Sequence, residues 1–188
     1  MKVVCFFVFI LSFGLLENPV YAGNWELSLG LSYNRTNYSA TNYSWMRRYG
    51  MSLGYNFSNQ SEIEFSFQDV IDRTYIQGYE DTTLNDRIWG FNWNQYFLGR
   101  NAPVQPYTKL GAGQLNRNAT GSYASGVSTT PQIDSLTIIV GVGMRIYLTK
   151  TFAIRGEVTS YLTGNTLSEY INSHKDNLAA TIGISLFF

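Results

Sequence analysis

The sequence predicts an all-β fold: an eight-stranded antiparallel up-and-down transmembrane β-barrel after a cleaved signal peptide. Three observations predict it. Eight separate segments place apolar residues at every second position, the period of a strand. The connections between them alternate short and long. One face of the segments carries large aliphatic and aromatic groups, and the other carries Gly, Ser, Thr, Asn and charges.

The first segment, Trp25 to Arg35, sets Trp25, Leu27, Leu29, Leu31 and Tyr33 against Glu26, Ser28, Gly30, Ser32 and Asn34. The second, Trp45 to Phe57, sets Tyr49, Met51, Leu53, Tyr55 and Phe57 against Arg48, Gly50, Ser52, Gly54 and Asn56. After a short turn at Ser58 to Ser61, Ile63, Phe65 and Phe67 alternate with Glu62, Glu64, Ser66 and Gln68, which predicts a tight hairpin. Trp89, Phe91, Trp93 and Phe97 mark the fourth strand, with Gly90, Asn92 and Asn94 opposite. In the fifth, Pro106 to Gln114, Thr108, Leu110 and Ala112 form a modest apolar face, and Lys109 sets the register. A Lys facing lipid near the midplane costs about 2–4 kcal/mol, so Lys109, Gly111 and Gly113 point inward. The sixth runs from Leu136 to Leu148 with Thr137, Ile139, Gly141, Gly143, Arg145 and Tyr147 on its inner face. Past a turn at Thr149 to Thr151, Phe152, Ile154, Val158 and Leu162 oppose Arg155, Glu157 and Thr159. The eighth, Leu178 to Phe188, alternates without a break.

The connections after strands two, four and six are short. Those after one, three, five and seven are read as longer polar loops: Thr36 to Ser44, Asp69 to Asn85, Leu115 to Asp134, and Thr163 to Asn177. Membrane barrels have short periplasmic turns and longer outside loops, so both termini belong on the short-turn side. A soluble barrel of the lipocalin kind closes in the same way but keeps its large apolar groups inside. Here the charges share a face with the small residues, which suits a narrow lumen, and the large groups suit lipid. Trp25, Tyr33, Tyr55, Phe57, Trp89, Phe97, Phe152 and Phe188 fit two interfacial girdles.

Met1-Lys2, the apolar run Val3 to Leu16, and Val20-Tyr21-Ala22 read as a signal peptide occupying residues 1–22, cleaved after Ala22. The run is shorter than the roughly 20 residues that span a bilayer as a helix. Residues 23–188 then form one barrel domain, with no peptidoglycan-binding extension expected. Cys5, the only cysteine, leaves with the leader, so the remainder offers no thiol chemistry. Basic and acidic residues number 13 each, which argues against a nucleic-acid partner. Charged residues make up 14% and aromatics 16%, an inversion that favours strands over solvated helices.

The chain resembles the small eight-stranded bacterial outer-membrane barrels of the OmpA and OmpX type. The likeness rests on Val20-Tyr21-Ala22, on Pro106-Tyr107-Thr108-Lys109-Leu110-Gly111-Ala112-Gly113, on Arg155-Gly156-Glu157 and on Gly183-Ile184-Ser185-Leu186-Phe187-Phe188. It implies a Gram-negative outer-membrane location reached by way of the signal peptide. It also implies that Ile182, Ile184, Leu186 and Phe188 form the assembly signal. The implied partners are outer-membrane lipid, lipopolysaccharide, the barrel-assembly machinery and periplasmic chaperones. Activity does not follow, because such barrels serve as scaffolds, adhesins, channels or enzymes.

The search for chemistry yields no catalytic, cofactor or metal residues. The single histidine, His174, stands beside Ser173, Lys175 and Asp176 with Ser168 nearby, and reads as a solvated loop residue. It does not match the His-x-Ser pair that the lipid A deacylase type implies. Gly111-Ala112-Gly113 and Gly141-Val142-Gly143 make room in a lumen and do not open a helix that would hold a nucleotide. The sequons at Asn34, Asn37, Asn42 and Asn118 are incidental in a bacterial protein. Asp69, Asp72, Glu80, Asp81 and Asp86 read as a solvated acidic loop, because their spacing matches no defined calcium loop.

One constellation stands out, the inward charges. Glu26, Glu62, Glu64 and Glu157 are expected to pair with Arg48, Arg87, Lys109, Arg145 and Arg155, since an unpaired charge in a narrow lumen loses hydration. The sequence therefore favours a non-enzymatic integral barrel that acts as an envelope scaffold or surface-contact protein. A small channel for ions or solutes is the alternative, and a lipid-modifying enzyme the third reading.

Overall fold

The computed structural model of the chain describes residues 24–39, 41–123, 126–163 and 178–188. The expected leader at residues 1–22 and His174 with its neighbours lie outside the described residues. Eight strands close into one barrel in sequence order: β1 (Trp25–Asn37), β2 (Tyr43–Asn56), β3 (Ser61–Ile76), β4 (Glu80–Tyr96), β5 (Val104–Tyr123), β6 (Gly126–Tyr147), β7 (Phe152–Thr163) and β8 (Leu178–Phe187). Every neighbouring pair is antiparallel, and β1 with β8 seals the seam. At that seam the Trp25 N–H donates to the Phe188 carbonyl at 3.2 Å, and the Phe188 N–H donates to the Trp25 carbonyl at 3.1 Å. Closure leaves no open sheet edge in the apolar zone, the condition for a sheet to live in lipid.

The register follows the alternation. Trp25, Leu29, Leu31, Met51, Leu53, Ile63, Phe65, Phe91, Trp93, Leu110, Val142, Ile182 and Ile184 are exposed on the outer surface, a band that water would not tolerate and lipid does. Cross-strand pairs stiffen it: Trp25 and Tyr55 lie 4.9 Å apart between ring centroids, and Phe65 and Phe91 5.1 Å.

Two of the expected long loops prove to be strand. Asp69 to Asn85 belongs almost wholly to β3 and β4, which turn at residues 77–79, where Gly78 holds φ +77°. Leu115 to Asp134 likewise lies in the β5–β6 hairpin apart from residues 124–125, with a register shift between Arg117 and Ala119. Apolar alternation stops where the strands leave the membrane, but the backbone ladder does not. Polar cross-strand partners carry it onward, such as the Asp81 carboxylate, which accepts two hydrogen bonds from Arg73 at 2.8 and 2.7 Å. The barrel thus rises past the membrane as a ribboned wall on its β3 to β6 side.

The lumen as the candidate functional site

The inner face divides into storeys. Nearest the short turns, Tyr147, Ala153 and Phe187 form an apolar floor, with Tyr147 and Phe187 rings 5.1 Å apart. Above it sits Arg145, whose register opposite Arg155 on β7 and Gln105 on β5 points it into the lumen. Its guanidinium donates to Glu26, to Glu62 at 2.6 Å and to the Tyr96 hydroxyl, and lies 4.3 Å from the Tyr96 ring centre. Tyr96 in turn donates to Glu62 at 2.5 Å. Arg145, Glu62, Glu64 and Asn94 are 0% exposed, so this is a dry junction of four strands.

The next storey joins the first through shared carboxylates. Arg155 donates to Glu64 at 2.6 Å and Glu157 at 3.0 Å, and stands 3.6 Å from Glu26. Lys109 donates to Glu64 at 2.9 Å and Glu157 at 2.7 Å. The Tyr107 hydroxyl accepts from Arg155 at 2.6 Å and donates to Glu157 at 2.7 Å. Asn92 and Asn94 donate to Glu64 and Glu62 from the side. Every carboxylate is held by a cation and at least one neutral donor, the arrangement that offsets desolvation of a buried ion. Small residues make this possible. A Cβ on Gly143 would overlap the Tyr107 ring, and one on Gly54 would overlap Glu62.

A cavity of about 60 Å³ follows, lined by Ser52, Ser66, Gln68, Lys109, Arg155 and Glu157 among others. Over it lies a second apolar layer, Val70, Ile88, Leu115, Ile139, Tyr161 and Ala179, with Met46 against it. Gln68 donates to the Tyr161 hydroxyl, and Arg48 rests 4.9 Å from the Tyr161 ring centre. Towards the outer mouth Asp86 accepts two hydrogen bonds from Arg117, at 2.8 and 2.6 Å.

Eight of the nine residues expected in the lumenal charge set therefore face inward: Glu26, Arg48, Glu62, Glu64, Lys109, Arg145, Arg155 and Glu157. Arg87 does not. It pairs with Asp69 across β3 and β4 on the outer surface at 3.6 Å, with its side chain 72% exposed. Arg87 shares the odd-numbered face of Trp89 and Phe91, and above the apolar band an outward Arg meets water and headgroups at little cost. Arg48 faces inward but takes an aromatic ring as neighbour, and none of the described carboxylates lies within ion-pair distance of it. The acidic loop residues are likewise divided: Asp69 and Asp81 face out and pair with Arg87 and Arg73, while Asp86 faces in and pairs with Arg117. No metal-holding group of three His, Cys, Asp or Glu occurs among the described residues.

Sequence reasoning placed Asn92 and Asn94 on the face opposite the outer aromatics without assigning them partners, and missed Tyr96, Tyr107, Gln105 and the upper apolar layer. Ile139, Tyr147 and Tyr161 were legible on the inner face by parity alone, since each shares it with Gly141, Arg145 or Thr159.

The comparisons agree with this architecture. The chain is similar in structure to Ail, the attachment invasion locus protein of Yersinia pestis, at 16% identity and TM-score 0.55, covering 89% of this chain and 99% of that one. It is also similar to the N-terminal barrel domain of Pseudomonas aeruginosa OprF, at 16% identity and TM-score 0.51, covering 89% and 99%. Neisserial surface protein A gives 15% identity and TM-score 0.52, covering 87% and 96%. No curated protein matches the chain by sequence. The family model for the outer membrane protein beta-barrel domain matches residues 8–186, and the chain belongs to that family as a bacterial outer-membrane barrel.

Proposed function

We propose that this barrel is a sealed, non-enzymatic envelope protein that anchors in the outer membrane and presents its outer rim to surface lipid and external partners. The observation that carries this reading is the doubly blocked lumen. A solute would have to displace Arg145 from Glu26 and Glu62, then pass the Val70, Ile88, Leu115, Ile139 and Tyr161 layer. The cavity between them, about 60 Å³, has room for a few waters. The lumenal ion pairs hold the strands together and conduct nothing. Export by the leader at residues 1–22 and recognition of Ile182, Ile184, Leu186 and Phe188 by the assembly machinery complete the reading.

Vesicles loaded with a small ion indicator and reconstituted with the folded protein test the seal. Leak no faster than in protein-free vesicles is expected, and efflux that scales with protein would support the channel instead. Mass spectrometry of lipid A after expression tests the absence of enzyme activity. An altered acyl composition would overturn it.

A further inference from the structure

On the outer surface of β1 and β2, directly above the apolar band, aromatic and cationic residues alternate as a checkerboard. Tyr33 pairs with Arg47, Arg35 with Trp45, and Asn37 with Tyr43. The Arg35 guanidinium lies 5.3 Å from the Tyr43 ring centre and that of Arg47 lies 5.2 Å from the Trp45 ring centre. Together Tyr33, Arg35, Tyr43, Trp45 and Arg47 line a shallow groove of about 370 Å³.

Charge sets these two arginines apart. Their outward neighbours Arg73 and Arg87 are matched by Asp81 and Asp69. Arg35 and Arg47 have no carboxylate within ion-pair distance among the described residues; Arg35 donates only to the Asn37 side chain, at 3.1 Å. Height specifies the occupant. Arg47 is ten residues above Phe57 along a tilted strand, which places it about 25 Å up, at the headgroup level of the outer leaflet. Stacked guanidiniums with free N–H edges suit phosphate oxygens, and the flanking rings suit sugar faces and the glycerol zone.

We infer that Arg35 and Arg47, framed by Tyr33, Tyr43 and Trp45, form a docking site for the phosphorylated headgroup of an outer-leaflet glycolipid. The inference rests on the surface-lipid half of the proposed function and names its site.

Folded protein in detergent is mixed with a bisphosphorylated glycolipid, and retained lipid is counted by native mass spectrometry. Parallel arms use the dephosphorylated glycolipid and inorganic phosphate. The unaltered chain is expected to retain the phosphorylated lipid over its dephosphorylated form. The Arg35→Gln/Arg47→Gln double variant should retain it about thirtyfold less, at roughly five- to sixfold per arginine. Lys150→Gln, at the short-turn end, should match the unaltered chain. The heat-dependent gel shift of each variant verifies that it is folded. Equal retention by the folded double variant would overturn the inference, as would displacement of the lipid by millimolar inorganic phosphate. Neither result bears on vesicle leak, so the sealed-barrel reading stands or falls separately.

Discussion

Replacing Arg145 by Met removes the cation on which the lower storey turns. Glu26 and Glu62, at 1% and 0% exposure, then lose their principal counter-ion, while Tyr96 loses the donor at its hydroxyl. Breaking a buried pair from one side costs about 3–5 kcal/mol, because the orphaned charge stays dry. With a urea slope of roughly 2 kcal/mol per molar for a domain of this size, the unfolding midpoint should fall by about 1.5–2.5 M. Unfolding in lipid vesicles, followed by tryptophan fluorescence and by the gel shift between folded and unfolded forms, measures it. The cycle closes with Arg145→Met/Glu62→Leu. Glu26 still has Arg155 at 3.6 Å, so removing Glu62 as well should recover much of the loss. A midpoint unchanged by Arg145→Met, or a double variant no better than the single, would refute the reasoning that this charge is held by compensation.

Gly143→Ala should lower thermal stability by about 1–3 kcal/mol, because its Cβ displaces Tyr107 from between Arg155 and Glu157, whereas Gly156→Ala, with open space around it, should leave the melting of the folded band unchanged. At the outer end of β3 and β4, the hydrogen bonds from Arg73 hold the Asp81 carboxyl below its ordinary value. A depressed carboxyl contributes stability above its unfolded pKa, about 4, and loses it as pH falls through the folded one. Amide exchange near Gly78 should therefore show more hairpin opening, corrected for intrinsic rate, at pH 3 than at pH 6, and equal protection would remove Asp81 from the account. Deleting Phe188 breaks both seam hydrogen bonds to Trp25 and should reduce the amount reaching the outer membrane while leaving export to the periplasm intact, which fractionation and blotting would read.

The membrane-spanning part of the fold was legible because lipid enforces a strict parity: Leu29, Met51, Phe65, Phe91 and Val142 can face only outward. Beyond the membrane that rule lapses. Arg73 and Asp81 sit in strands that no apolar period marks, so a ladder built on polar pairs reads as loop in the sequence. Arg87 was misassigned for a related reason: a charge was taken as a mark of the lumen, although its parity with Trp89 pointed outward. Within the lumen, the carboxylates and cations were legible by type, but their partners were not. Which of Arg145 and Arg155 meets Glu62 depends on the shear of the closed barrel, a quantity set by all eight registers at once. The same shear brings Val70 from β3 and Tyr161 from β7 into one apolar layer, although 91 positions separate them in the chain.

That layer and the Arg145 junction beneath it make the central claim a claim about closure, and single-channel recording in a planar bilayer addresses it most directly. Purified folded protein, inserted at defined density, should give a flat current trace at moderate voltage. Reproducible conductance steps that disappear on charge reversal at Arg145 or Glu157 would contradict the sealed barrel and make the lumenal charges the wall of a pore.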